Sequence, residues 1–152
     1  MTDVLIGKVL GPQGATTATL YKAVNWARDN GARIISMSLC FDFSGYREQL
    51  AKQPGMHPKE ATFIAMRTMI ENVRFYETFG TLLRLGEGGP PVLVLAASGN
   101  ESDRLGDRFN EGVFTLGAAY PAATTDFVSV GAVGLTGDAA KPYQVAVVQL
   151  LA

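Results

Sequence analysis

The amino-acid sequence predicts an α/β fold: a mainly parallel sheet of four to five strands with helices packed on it. Three observations carry this expectation. Short apolar runs of strand length stand at residues 4–10, 32–39, 92–97 and 127–133, with a fifth at 143–152. Segments with apolar residues three or four apart separate the first three runs, which is helical periodicity. Residues 92–97 read Val-Leu-Val-Leu-Ala-Ala without polar alternation, as expected of a strand covered by helices on both faces. Strands alternating with helices in one chain are built as parallel crossovers, which are right-handed.

The elements follow in order. Residues 4–10 end in Gly11-Pro12, which stops a strand. Thr16 or Thr17 caps the next helix, in which Leu20, Ala23, Val24 and Ala27 share a face, and Asn30-Gly31 ends it. Residues 32–39 form the second strand. Residues 41–60, with Gly45, Pro54, Gly55 and Pro58, read as irregular until Pro58 opens a helix. Phe63, Met66, Ile70, Val73, Phe79 and Leu83 then predict a long amphipathic helix, with a break allowed at Gly80. Residues 86–91 end it, residues 92–97 are the third strand, residues 98–119 form a loop-rich excursion, and residues 127–133 are the fourth strand. No repeat, low-complexity tract or linker interrupts the chain, so residues 1–152 are read as one domain.

Composition sets the bounds. The 152 residues are 47% hydrophobic and 18% charged with a net charge of −1, which predicts a packed globular chain. That charge gives no reason to expect nucleic acid or an anionic membrane as partner. The single cysteine, Cys40, excludes an intrachain disulfide and any multi-cysteine metal site. No apolar run reaches the roughly 18 residues of a membrane span. The first ten residues lack a secretory pattern, so the chain as written is expected in the cytoplasm.

Five blocks, in one order, carry a resemblance. Gly7-Lys8-Val9-Leu10-Gly11, the helix with Trp26-Ala27, Ile34-Ile35-Ser36-Met37-Ser38-Leu39, the run from Val92 to Ser98-Gly99-Asn100, and Tyr120-Pro121-Ala122 with Val128 to Val133 together resemble the subtilisin-like serine proteases, or subtilases. The resemblance implies a partial subtilisin-like fold and amide hydrolysis through an acyl-enzyme in an intact relative. It implies that Asn100 is the oxyanion-hole asparagine, whose neutral amide can donate to a developing oxyanion where a carboxylate cannot. It also implies that Ser38, Leu39 and Cys40 pair with an extended peptide substrate as an added strand. Gly14 stands on the opposite wall of that cleft, and Ala97, Ser98 and Gly99 line it. Cys40 replaces the glycine usual at its place. Tyr120-Pro121 is a candidate cis peptide.

The rest of the machinery is missing from these residues. Acyl transfer by serine needs a nucleophile, a base and a group that orients the base. The family's His-Gly-Thr-His and Gly-Thr-Ser-Met-Ala strings do not occur, and neither does Asp followed by Thr/Ser-Gly. The only histidine, His57, lies outside such a context and reads as a loop residue before a helix. The resemblance therefore implies a central fragment, inactive alone, whose partners are an extended peptide or protein substrate in the intact relative. The sheet of the family also places its Asp-bearing strand between the strands matching residues 4–10 and 32–39. Without it, those two strands are expected to pair directly, or a complementing chain fills the gap, and self-association is expected. The alternative reading is a non-catalytic peptide-binding module on the same fold. No cofactor and no metal is implied: Glu101, Asp103, Asp107 and Glu111 cluster, but Arg104 and Arg108 are interleaved, which reads as a solvated loop.

Overall fold

The computed structural model describes residues 3–12, 14–102 and 113–131. Within them the chain runs α1 (Thr17–Asp29), β1 (Ile34–Met37), α2 (Phe43–Ala51), α3 (Pro58–Leu85), β2 (Leu93–Ala97) and β3 (Val128–Val130). The sheet has the order β1-β2-β3 and is parallel throughout. Ile34 stands beside Leu93, and Leu95 beside Val128. The expected run at 143–152 lies outside the described residues.

Local chemistry explains each helix end. Thr16 caps α1: its extended backbone frees the hydroxyl oxygen to accept the Thr19 amide at 3.1 Å. Asn30 closes α1, and Gly31 turns the chain at φ 91°. His57 caps α3, its Nδ1 accepting the Lys59 amide at 3.2 Å, and Pro58 supplies a first-turn residue that needs no amide. Gly86, at φ 76°, ends α3 in the left-handed conformation.

A single core joins α1 and α3 to one face of the sheet. Leu20 and Val24 of α1 meet Tyr76, Phe79 and Leu83 of α3 above Met37, Val94 and Ala96. Leu83 is 1% exposed. Arg28, also buried, fastens the far end of this layer: its Nη1 donates to the Glu87 carbonyl and its Nη2 to the Gly88 carbonyl, each at 3.0 Å. The carbonyl end of α3 stands just before those groups, so the guanidinium also meets the negative end of a helix dipole.

The structure departs from the sequence expectation in four features and decides one that the sequence left open, the break allowed at Gly80. Residues 4–10 form no strand: among the described residues they make no backbone hydrogen bond, and Ile6 is 87% exposed. They do not pair with β1, because apolar character licenses a strand only where another edge is in reach. Among the described residues the sheet is covered on one face only, since Ile34, Leu93 and Val128 on the other are each more than two-fifths exposed. The three strands among the described residues are fewer than the four to five expected. Residues 41–60 hold a helix, α2, capped by Asp42, whose Oδ1 accepts the Gly45 amide at 2.8 Å; Gly45 leaves room for that carboxylate. Finally, α3 runs unbroken through Gly80.

Gly80 is the point where the loop before β3 comes closest. A Cβ there would stand 2.9 Å from Thr124 Cγ2 and 3.3 Å from Phe127 Cε1. The same helix face binds this loop by polar groups: Thr81 Oγ1 and Arg84 Nε donate to Asp126 at 2.8 and 2.6 Å, and the Thr125 amide donates to Glu77. The Tyr120–Pro121 peptide within the loop is cis. At its other end α3 packs on α2 through a separate small core of Leu50, Ala61 and Ala65.

Candidate active site

β1 and β2 point the same way, so their C-terminal ends open side by side at one edge of the sheet. After Met37 the chain continues through Ser38, Leu39 and Cys40. After Ala97 it continues through Ser98, Gly99 and Asn100. In a parallel α/β sheet this edge is where ligands bind.

Hydrogen bonds tie the two ends together. Cys40 Sγ donates to Glu101 Oε1 at 3.0 Å, and the other oxygen of that carboxylate accepts the Asn100 amide at 3.0 Å. One side chain thus bridges the exit of β1 and the backbone of residue 100. The Ser98 amide donates to the Val130 carbonyl, and the Ser98 carbonyl accepts the Ala119 amide, both at 2.9 Å. The Phe41 amide donates to the Tyr120 carbonyl at 2.8 Å. Segments near residues 40, 100 and 120 therefore form one connected surface.

Gly99 makes the turn between β2 and Asn100. Its φ of 105° is outside the range that side chains tolerate, and a Cβ there would stand 2.7 Å from Glu101 Oε2. The residue before Asn100 thus favours glycine by its backbone conformation, and a side chain there would also displace the Glu101 carboxylate.

The Cys40 thiol is pushed up to about 12, first by burial, then by the hydrogen bond to Glu101 and the negative charges of Glu101 and Asp42. It is protonated across the physiological range. A thiol in that state is a poor nucleophile, so the sole cysteine beside the site acts as a hydrogen-bond donor.

A small cleft of about 70 Å3 opens beside this edge, between the chain at Val9 and Leu10 and the chain at Leu39, Cys40 and Phe41. Ala15 to Thr17 close one end, adjacent to Gly14, which sits in a tight turn with two Gly11–Gly14 backbone hydrogen bonds of 3.0 Å. On the floor Thr17 Oγ1 donates to Asn72 Oδ1 at 2.6 Å. The cleft is apolar on its walls and polar below. Its two sides are backbone segments that lie outside the sheet ladder, which is the arrangement an extended peptide can enter as a strand.

The structure brings Ser38, Leu39 and Cys40 together with Ala97, Ser98, Gly99 and Asn100 at one edge; Gly14 precedes Ala15 at one end of the cleft and is not among the residues that line it. Sequence reasoning put Glu101 in an acidic loop and missed it as the bridge. Glu101 and Cys40 are 61 residues apart, and no local pattern links them. Among the described residues no group of three or more His, Cys, Asp or Glu side chains could hold a metal. No helix among them is long and apolar enough to cross a membrane.

The comparisons with known proteins agree with this geometry at the level of family. The profile described as the Subtilase family matches residues 2–144. Neither the curated proteins nor the solved structures gave a significant match.

Proposed function

Because the chain belongs to the subtilase family, whose members are serine peptidases, we propose that it carries the substrate strand and the oxyanion end of a subtilisin-like endopeptidase site, and that alone it turns over no peptide. The observation that carries this reading is the union of the β1 and β2 exits through Glu101. An extended substrate would lie along Ser38, Leu39 and Cys40 with its scissile carbonyl near Asn100. The side-chain amide of Asn100, distinct from the backbone N–H that Glu101 accepts, would donate to the oxygen as charge develops on it, the step at which a positioned donor contributes most.

The same reading predicts inactivity. A complete oxyanion hole uses a second donor beside the nucleophile, and acylation uses a serine–histidine pair. His57, the only histidine, caps α3 through its ring nitrogen. Among the described residues the edge of β1 is open, residues 3–10 make no backbone pairing and the sheet face around Ile34 and Leu93 is uncovered, which all suit a chain completed by a complementing strand.

A second reading is favoured by the cleft itself. The chain would bind extended peptides between residues 9–10 and 38–40 without cleaving them, with affinity in the micromolar range. One experiment separates the two. A fluorogenic peptide is incubated with the chain and with Asn100→Ala, and binding of the same peptide is followed by polarisation. No turnover by either protein is the expected result. Turnover abolished by Asn100→Ala overturns the inactivity. Binding unaffected by Asn100→Ala supports the second reading, and absence of binding removes it.

A further inference from the structure

The helix face of α3 that meets the loop before β3 extends beyond that loop. Toward the N-terminus it continues as Ile70, Met66 and Phe63, four and three residues apart on one side of the helix. These three are 45%, 48% and 61% exposed. Ala61 and Ala65, on the side facing α2, are fully buried. The N-terminal half of α3 therefore has two apolar sides, one filled by α2 and the other open. An amphipathic helix in water needs only one.

The rim of the open side shows what covers it. Glu60, Arg67, Glu71 and Arg74 follow one another along it with alternating sign, and Arg67 Nε lies 3.1 Å from Glu71 Oε1. Two such helices laid parallel about a two-fold axis would set this charged rim against the opposite rim of the other copy, where the uncharged Thr62, Met69 and Val73 stand. Laid antiparallel about Thr68, they would set Met66 against Ile70 of the second copy and Phe63 against its Val73, and bring Glu60 within two residues of its Arg74, an axial offset of about 3 Å that both long side chains can span. Only the antiparallel pairing matches apolar to apolar and acid to base at both ends, as a two-fold interface requires. We propose that Phe63, Met66 and Ile70 form a self-association surface through which two copies of this chain pack α3 against α3 antiparallel. This surface lies on the helical hairpin of α2 and α3, and it is independent of whether the cleft cleaves or only binds.

Sedimentation equilibrium on the intact chain over a range of concentrations tests it. The expected result is a mass rising to twice the 16.2 kDa of the chain and falling on dilution. Ile70→Glu is expected to hold the mass at one chain with its helical circular dichroism unchanged. Glu60→Arg or Arg74→Glu alone is expected to raise the dissociation constant about tenfold, since each reverses two exposed pairs in the dimer. Both exchanges together are expected to restore it. A wild-type monomer at every concentration overturns the proposal, including the case in which residues 143–152 of the same chain cover the surface. A dimer indifferent to Ile70→Glu overturns it in favour of another surface, such as the open sheet face. Failure of the double exchange to restore the dimer overturns the antiparallel register.

Discussion

Residues 4–10 and β2 are similar stretches of sequence with opposite fates. Both are short, rich in valine and leucine, and followed by a glycine that turns the chain. β2 has a neighbour on each side, and its Val94 and Ala96 are 1% exposed. Residues 4–10 have no ladder among the described residues, and most of their apolar side chains face water. Apolar character supplies the driving force for burial, but a strand needs an edge to bond to, and only β2 has one.

Hydrogen exchange puts the largest expected difference on this comparison. The Val94 to Ala97 amides, locked between two strands, exchange only through opening of the core, and so more slowly by orders of magnitude than the amides of residues 4–10. Equal exchange in the two segments would break the comparison. Mutational cost follows the same division. Leu83→Ala empties a fully packed site over β2 and is expected to cost about 2–5 kcal/mol in urea denaturation. Ile6→Ala is expected to change stability by less than about 0.5 kcal/mol.

Gly80→Ala sharpens the reading of how α3 holds the layer around β2. Alanine is the better helix former by roughly 1 kcal/mol, yet its methyl would stand 2.9 Å from Thr124 Cγ2. Overpacking costs about 1–3 kcal/mol, so the net effect expected in urea denaturation is destabilising. The smallest effect is in acid. The Thr81 hydroxyl first, and then Arg84, hold the Asp126 carboxyl below its ordinary value of 3.8. A depressed carboxylate contributes stability in full above its unfolded value, and loses it as pH falls through the lower folded one. The urea midpoint of the wild type is therefore expected to exceed that of Asp126→Asn by a constant margin above about pH 5 and to converge on it in stronger acid.

Much of the fold is legible from local signals. Thr16 before a helical period, Asn30-Gly31 after it, Pro58 at a helix start and the unbroken apolar run of β2 each mark an element that the structure contains. The signals that failed report on something absent or distant. Asp42 caps α2 from within a stretch whose Gly45, Pro54 and Gly55 read as loop. The run of β2 reads as covered on both faces, because periodicity reports what a strand could bury and not what is there to cover it. At the candidate site, the pairing of the β1 and β2 exits follows from parallel topology, and the positions of Ser38 to Cys40 and Ala97 to Asn100 were legible on that basis. Glu101 was not, because its partner Cys40 reaches it only through the folded sheet.

The clamp made by Arg28 has a consequence for how the chain acquires its structure. Its two carbonyl acceptors lie 59 and 60 residues downstream. At a synthesis rate of roughly 5–20 residues per second, some 3–12 s separate the making of this arginine from the making of its acceptors. During that interval the first helix is on its own, and a one-turn nucleus is costly to maintain in water. The nascent chain thus has to make its third helix before this clamp can secure its first.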